Sequence, residues 1–403
     1  MVARKNLECY GQRENMMQAG AKMRQNGKTT GAALALCTVL ALALAPWHAR
    51  AADSVDHGSA PSGNVTIAAR FADMQPSGIV VLPDGSVILG FPRSAQDHPG
   101  PRLARLTPHA DGRPDLTPYP DAATQARLIS PLGMTLDTRG RIWIVDEGTV
   151  AGSSAPPRPA LVMVDPTPGG EGVRILPLHA PAIRPDSHVN DVRIDLTHGR
   201  AGLAFITDTS MADHPAIVVV DLASGTARRI LDADISTRAT PGFAMEVDGQ
   251  MHRFDLIHPA MGQGGADGIA ISPDSSVLYW QPLSSRRLYS APTALLGDPH
   301  ATPAALAAGV HDEGETGVVD GMATAPDGSL YLTELERHAI LHRATDGTLS
   351  MVAHDPRLIA PDGLALHGDT LWLTIGQWSR LPVFHNGQDR QERPWLLARI
   401  RLP

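Results

Sequence analysis

The sequence predicts an all-β protein, a six-bladed β-propeller, on three observations: a short repeat, the turns that follow it, and the lack of long helical periods. Pro76-Ser77-Gly78-Ile79, Pro131-Leu132-Gly133-Met134, Val189-Asn190-Asp191-Val192, Ala266-Asp267-Gly268-Ile269, Val319-Asp320-Gly321-Met322 and Pro361-Asp362-Gly363-Leu364 align as one motif. After five of the six an apolar strand follows, then Asp-Gly, Arg-Gly, His-Gly or Asp-Ser, then a second strand; the sixth turns at His367-Gly368-Asp369. Strand–turn–strand units recurring about 40 to 80 residues apart are the signature of propeller blades. The weak pattern of Pro303 to Ala308 is the nearest approach to a helix.

The N-terminal stretch reads as a leader. Gly31 to Ala45 is an apolar run with Arg24 and Lys28 before it and Ala49-Arg50-Ala51 after it, the layout of a secretory signal peptide. The run is too short for a comfortable membrane-spanning helix. The expectation is a signal peptide over residues 1–51 (with Met23 as the favoured start), a flexible mature N-terminus over 52–63, and one propeller domain over 64–403. A secreted or periplasmic protein follows, free of the membrane once cleaved and expected to be a monomer.

Composition excludes several chemistries. The formal net charge is −8, and seven of the 34 Lys and Arg lie in the first 51 residues, so the remainder is more acidic still. A chain of that charge with no basic run does not suit nucleic acid or an anionic membrane. Cys9 and Cys37, and Lys5, Lys22 and Lys28, all fall in the leader. The mature chain therefore has no disulfide, no thiolate nucleophile, no Schiff-base lysine and no P-loop. Asp, Glu, Asn, His, Arg, Ser and Tyr are left to act on a small-molecule ligand or substrate.

Taken in order, Asn64 to Phe71 alternates and is expected to close the ring by joining the last blade. Blade one flanks Pro83-Asp84-Gly85 with Ile79 to Leu82 and Val87 to Leu89, a hairpin pattern. Blade two repeats it around Thr138-Arg139-Gly140 and ends at Asp146-Glu147-Gly148. Blade three runs from His188 through Ala204 to Asp208, Ala216 to Asp221 and Thr226 to Leu231. Residues 232–264 break the repeat, and long loops on a rigid ring overhang its binding mouth. Blade four spans Asp267 to Tyr289 and blade five Asp320 to Ser350. There His338 and His342 sit on a strand pattern, which makes solvent-facing histidines the expectation rather than a zinc pair. Blade six begins at Asp362.

The second residue of each repeat is Ser77, Leu132, Asn190, Asp267, Asp320 and Asp362. Equivalent positions in a propeller form a ring, and if the first strand is innermost these side chains meet at one end of the central channel. Three carboxylates and an amide converging there cannot all stay ionised without a counter-charge. Oxygen donors alone favour calcium or magnesium over zinc. The competing expectation is that each Asp-Gly caps its own hairpin, although every repeat carries a separate turn signal downstream.

His188 to Thr209, Asp221 to Ala239, Gly265 to Leu295 with its Pro282-Leu283-Ser284-Ser285-Arg286, Asp320 to Ile340, and Phe384 to Ile400 resemble the major royal jelly protein/Yellow family. More distantly the chain is similar to the SMP-30/gluconolactonase superfamily of metal-dependent lactone hydrolases. Both resemblances imply a six-bladed propeller. The second implies metal ligands at Ser77, Asn190, Asp267 and Asp320, where that family has Glu, Asn, Asn and Asp. Asn190, Asp267 and Asp320 match or nearly match, and Ser77 departs.

On that resemblance a divalent cation, calcium first, would sit on Asn190, Asp267 and Asp320. It would polarise a lactone carbonyl and acidify a bound water, with Asp320 as ligand or catalytic base. Ser77, Asp362 and Arg286 would contact the substrate, with Ser284 and Ser285 beside them, while hydrogen bonds that pack the blades are the competing expectation for Arg286 and the two serines. Asp146, Glu147, Asp208, Gln281 and Glu334 are expected to be hydrogen-bonding groups at blade edges. Whether the chain is an enzyme stays open at this level. A non-catalytic carrier of small amines and a dopachrome-type tautomerase are the alternatives to lactone hydrolysis.

Overall fold

Six four-stranded antiparallel sheets make up the computed structural model, which describes residues 61–402 apart from 110–112, 211, 248, 254–263 and 386. The expected leader (1–51) and nearly all of the expected flexible segment (52–63) lie outside the described residues.

Each sheet is one blade, and its innermost strand begins at the repeat. These strands are Ile79–Val81, Pro131–Leu136, Val189–Asp195, Ala266–Ile271, Val319–Thr324 and Pro361–His367. Each touches the next and the sixth touches the first, so the ring closes around a channel. Blades one to five follow chain order from inside to outside. Blade six takes Pro361–His367, Thr370–Ile375 and Trp395–Arg401, and its outermost strand is Val65–Phe71 from the other end of the described chain. The ring-closing expectation for Asn64 to Phe71 is met.

Period-2 alternation builds the core. In Leu203–Asp208 every residue is buried. Leu203 and Phe205 pack against Trp280 and Leu278 of blade four, whereas Ala204 and Ile206 pack against Trp143 and Leu161 of blade two. A strand whose two faces are both covered needs apolar side chains on both. The same occurs at all six blade junctions, each with its own apolar cluster. The downstream turns are Asx-type: Asp84, Asp274 and Asp327 accept the backbone N–H of Ser86, Ser276 and Ser329.

Among the described residues three short α-helices occur, Ala122–Arg127, Thr293–Gly297 and Pro303–Ala308, the last capped by the Thr302 hydroxyl. One expectation needs correcting: His338 is buried, with φ at +49°, and its Nδ1 lies 3.1 Å from the Leu358 carbonyl. It precedes the strand Ala339–Arg343 rather than lying on it.

Candidate functional site

The six repeat residues Ser77, Leu132, Asn190, Asp267, Asp320 and Asp362 all line one cavity of about 350 Å³ at one end of the channel. Local backbone geometry aims them there. In blades two to six the pairing between the first two strands skips a residue at this point, as between Val189 and Val192 or between Val319 and Met322. A β-bulge of this kind re-aims a side chain and bends the strand. Second-strand threonines satisfy freed backbone groups: Asp191 N–H donates to Thr207 Oγ1 at 3.1 Å and Gly321 N–H to Thr333 Oγ1 at 2.8 Å.

The glycine beside each ring residue answers to crowding at the axis. A Cβ on Gly78, Gly268, Gly321 or Gly363 would come within 1.9 to 2.2 Å of the carbonyl oxygen of Leu132, Asp320, Asp362 or Ser77, each in the next blade. No side chain fits there, so the Asp-Gly pairs serve blade contact rather than hairpin capping. Blade three alone carries Asp191 at this place, and its side chain lies against Gly133 of blade two.

Around the ring the polar atoms form a chain. Asn190 Nδ2 donates to Asp267 at 2.7 Å and to Thr209 Oγ1 at 3.1 Å. The carboxyls of Asp267 and Asp320 are neighbours, and each acts on the titration of the other. Trp378 Nε1 donates to Asp320 Oδ2 at 2.6 Å, and the Ser77 hydroxyl donates to Asp362 Oδ2 at 2.6 Å. Burial first, then the neighbouring carboxylates, pushes Asp267 and Asp320 well above the usual carboxylate range. Burial raises Asp362 as well, against the opposing pull of the Ser77 hydroxyl. Below them, burial lifts Asp191 to about 6 although the Arg193 guanidinium opposes it.

The mouth is apolar and aromatic. Gln377, at φ +55°, turns the chain into the short helix Trp378–Arg380 and sets Trp378 over the ring. Phe384 meets it edge-on at 5.8 Å, and Leu283 and Leu381 complete that wall. In the described part of the insertion, Phe243 and Met245, at the start of the hairpin Ala244–Val247 with Gln250–Arg253, pack with Leu283, Trp378 and Phe384. No described residue of the insertion lines the cavity itself. Arg286 is not among the cavity-lining residues. Its guanidinium pairs with Glu336 at 2.5 Å, donates to the Ala244 carbonyl and lies over the Phe243 ring, which clamps the hairpin to blades four and five. Ser284 and Ser285 are buried and hold loop groups, Gly264 N–H and the Thr240 hydroxyl respectively.

Asp146, Asp208, Gln281 and Glu334 bind backbone groups and loops, as expected of blade edges. Glu147 does more. It lines the cavity, accepts the hydroxyls of Ser94 (2.6 Å) and Ser130 (3.0 Å), and lies 3.3 Å from His188 Nδ1. Burial raises its pKa, and the nearby His188 is the chief opposing influence. The residues that follow the second strands are Phe91, Glu147, Thr209, Leu283, Leu335 and Gly376, and Glu147 is the one acid among them. Aligning strand exits as well as repeat starts would have singled it out. Trp378 and Phe384 lie outside every repeat and carried no such signal.

The donor set can be tested against a cation. Asn190, Asp267 and Asp320 offer hard donors, but Asn190 presents its amide nitrogen to Asp267 and would have to turn its oxygen inward. Among the described residues no three of His, Cys, Asp or Glu are grouped so as to hold a metal ion.

A family model described as major royal jelly protein matches residues 129–394. Major royal jelly protein 2 of Apis mellifera is 26% identical over 196 residues, which is 44% of this chain and 39% of the relative. The match thus spans well under half of that relative's length. A solved luciferin-regenerating enzyme superposes with a TM-score of 0.50 at 10% identity, over 85% of this chain and 95% of that one, and shows a shared fold. A gluconolactonase of Xanthomonas campestris gives a TM-score of 0.48 at 14% identity over 84% of this chain and 89% of its own.

Proposed function

The chain belongs to the major royal jelly protein family, and we propose that it is an exported, monomeric binder of a small organic cation, an aromatic amine, held in the central cavity. One observation carries this reading. Glu147, Asp267, Asp320 and Asp362 line a cavity whose walls include no arginine or lysine among the described residues, beneath the rings of Trp378 and Phe384. Acidic groups pushed above their usual pKa are those that gain most from a cation, because the cation supplies the counter-charge the protein withholds. An ammonium would take up the ring carboxylates while its aromatic part fills the apolar mouth, where a cation near an aromatic face gains about 0.5 to 2 kcal/mol more.

Calorimetric titration of tyramine into the EDTA-stripped mature protein tests this, with 4-ethylphenol as the uncharged control. Binding of tyramine but not 4-ethylphenol is expected. Equal binding of both, or of neither, would overturn the assignment.

A second reading rests on the contact chain Asn190–Asp267–Asp320. These three residues would hold a calcium ion, with Asn190 turned over. Such an ion supplies Lewis acidity toward a lactone carbonyl. Ser77 and Asp362 would then hold substrate hydroxyls. Calcium titrated into the same stripped protein separates the two readings: one-site calcium heat with no amine binding favours the lactone hydrolase.

A further inference from the structure

A second chamber of about 420 Å³ adjoins the central cavity, between blades two and three. The two share the lining residues Glu147, Thr149 and His188, which form a seam between them. Pro156, Pro157, Pro159, Leu178, Ile183 and Val189 supply apolar walls to the side chamber. Among its polar groups, Arg184 lies 3.8 Å from Asp186 and 3.5 Å from Asp232, and the Ser187 hydroxyl donates to Asp208 at 2.5 Å. The chamber therefore offers apolar area and rigid proline faces, with His179 also in its lining.

The seam is built. Glu147 is 6% exposed and is fixed by two serine hydroxyls, and it holds the His188 ring by Nδ1. His188 is also tied at its backbone, where its N–H donates to Asp208 at 2.9 Å. The ring thus stands at the boundary between the acidic cavity and the proline-walled chamber. A ligand wholly satisfied by the central cavity would leave the side chamber to water on proline and leucine surface, an unfavourable arrangement.

We propose that the ligand is bipartite: an ammonium-bearing head occupies the central cavity, and a flat, uncharged aromatic tail passes His188 into the proline-walled chamber between blades two and three. This rests on the cationic-head reading above and extends it to the ligand's shape. Together the two chambers have the capacity of an ordinary small-molecule site, within the usual range of about 300 to 1,000 Å³.

The experiment compares tyramine with its O-benzyl ether, which adds one uncharged ring, by calorimetry on the whole mature protein. The ether should bind at least about tenfold more tightly, the yield of burying one aromatic ring. Ala180 lines the side chamber and is exposed. Ala180→Trp should fill the chamber and erase the ether's advantage while leaving tyramine binding unchanged, which also reports that the variant is folded. Pro157→Arg, on an exposed proline of the wall, is the second variant and should do the same. Tyramine binding with no gain from the benzyl group overturns the side-chamber proposal alone. A gain that survives both variants does so too, because the tail then lies elsewhere. Failure of both amines to bind the wild type removes the cationic head, and the bipartite ligand with it.

Discussion

Replacing Asp320 by Asn changes one charge and almost no volume. In the structure Asp320 accepts Trp378 Nε1 at 2.6 Å and lies beside the Asp267 carboxyl. An asparagine keeps that bond, its amide oxygen accepting from Trp378. What it removes is negative charge at the centre of the ring. A pair of unit charges about 4 Å apart is worth about 4 kcal/mol at an effective dielectric constant near 20. Burial and the carboxylates of Asp362 and Asp267 keep Asp320 well above its usual pKa, so part of that charge is protonated before any ligand arrives. The remaining loss is about 1.5 to 3 kcal/mol, a ten- to hundredfold weaker tyramine Kd.

Stability should move the other way. Asp267, Asp320 and Asp362 have folded-state pKa values above the unfolded one, so the folded form holds more protons. Their contribution to stability is present below the unfolded value of 3.8 and is lost as pH rises toward the raised values. Asp320→Asn removes one such group, and its melting temperature at pH 7 should equal or exceed that of the wild type. Calorimetric titration and a thermal melt on the same sample read both effects. An unchanged tyramine Kd would refute the electrostatic argument. Weakened binding with a Tm several degrees lower would show that the carboxylate is a structural bond rather than a ligand charge.

Gly321→Ala puts a Cβ 1.9 Å from the Asp362 carbonyl oxygen, so blades five and six must separate, and denaturant unfolding should show a loss of about 2 to 4 kcal/mol. Asp137 is buried and accepts Arg141 Nε at 2.7 Å and Trp143 Nε1 at 2.8 Å. Asp137→Ala strands both donors and should cost about 3 kcal/mol by the same measurement, with amine binding retained. Arg286→Ala should leave global stability within about 1 kcal/mol, since the guanidinium is partly exposed. It should nonetheless speed hydrogen exchange in Ala244–Val247, which the clamp holds against the mouth.

The blade count, the ring positions and the closing role of Asn64 to Phe71 were legible because a propeller writes its geometry as a repeat. Five blades share the bulge, five carry glycine at the close approach to the axis, and several turn on an aspartate, so the signal is printed several times. The ring was legible for that reason and Trp378 was not, since its placement depends on a single left-handed residue, Gln377, in a stretch that occurs once. Arg286 shows the converse limit. A charged residue in a segment carrying family resemblance draws attention as a ligand contact, yet only the fold shows Glu336 and Phe243 beside it. The Asp-Gly pairs were ambiguous for a physical reason: a turn and a crowded axis both favour glycine after aspartate, and the difference lies in an inter-blade distance that no local pattern encodes.

Why the acidic ring lacks an internal counter-charge is answered one step down the channel. Arg193 reaches across it, donating to the carbonyls of Val192 in blade three and Met322 in blade five, each at 2.6 Å. Its charge faces Asp191, the acid that stands where the other blades carry glycine. The pair occupies the waist between the upper cavity and a smaller one on the opposite side. The exchange of glycine for aspartate in blade three thus gives the buried guanidinium a carboxylate of its own, while Asp191 adds to the upward push on Asp267 and Asp320. A solvated through-channel would screen those carboxylates from both sides. A plugged one leaves them buried beneath Trp378 and beside the seam at His188, which makes an incoming cation the means of relieving them.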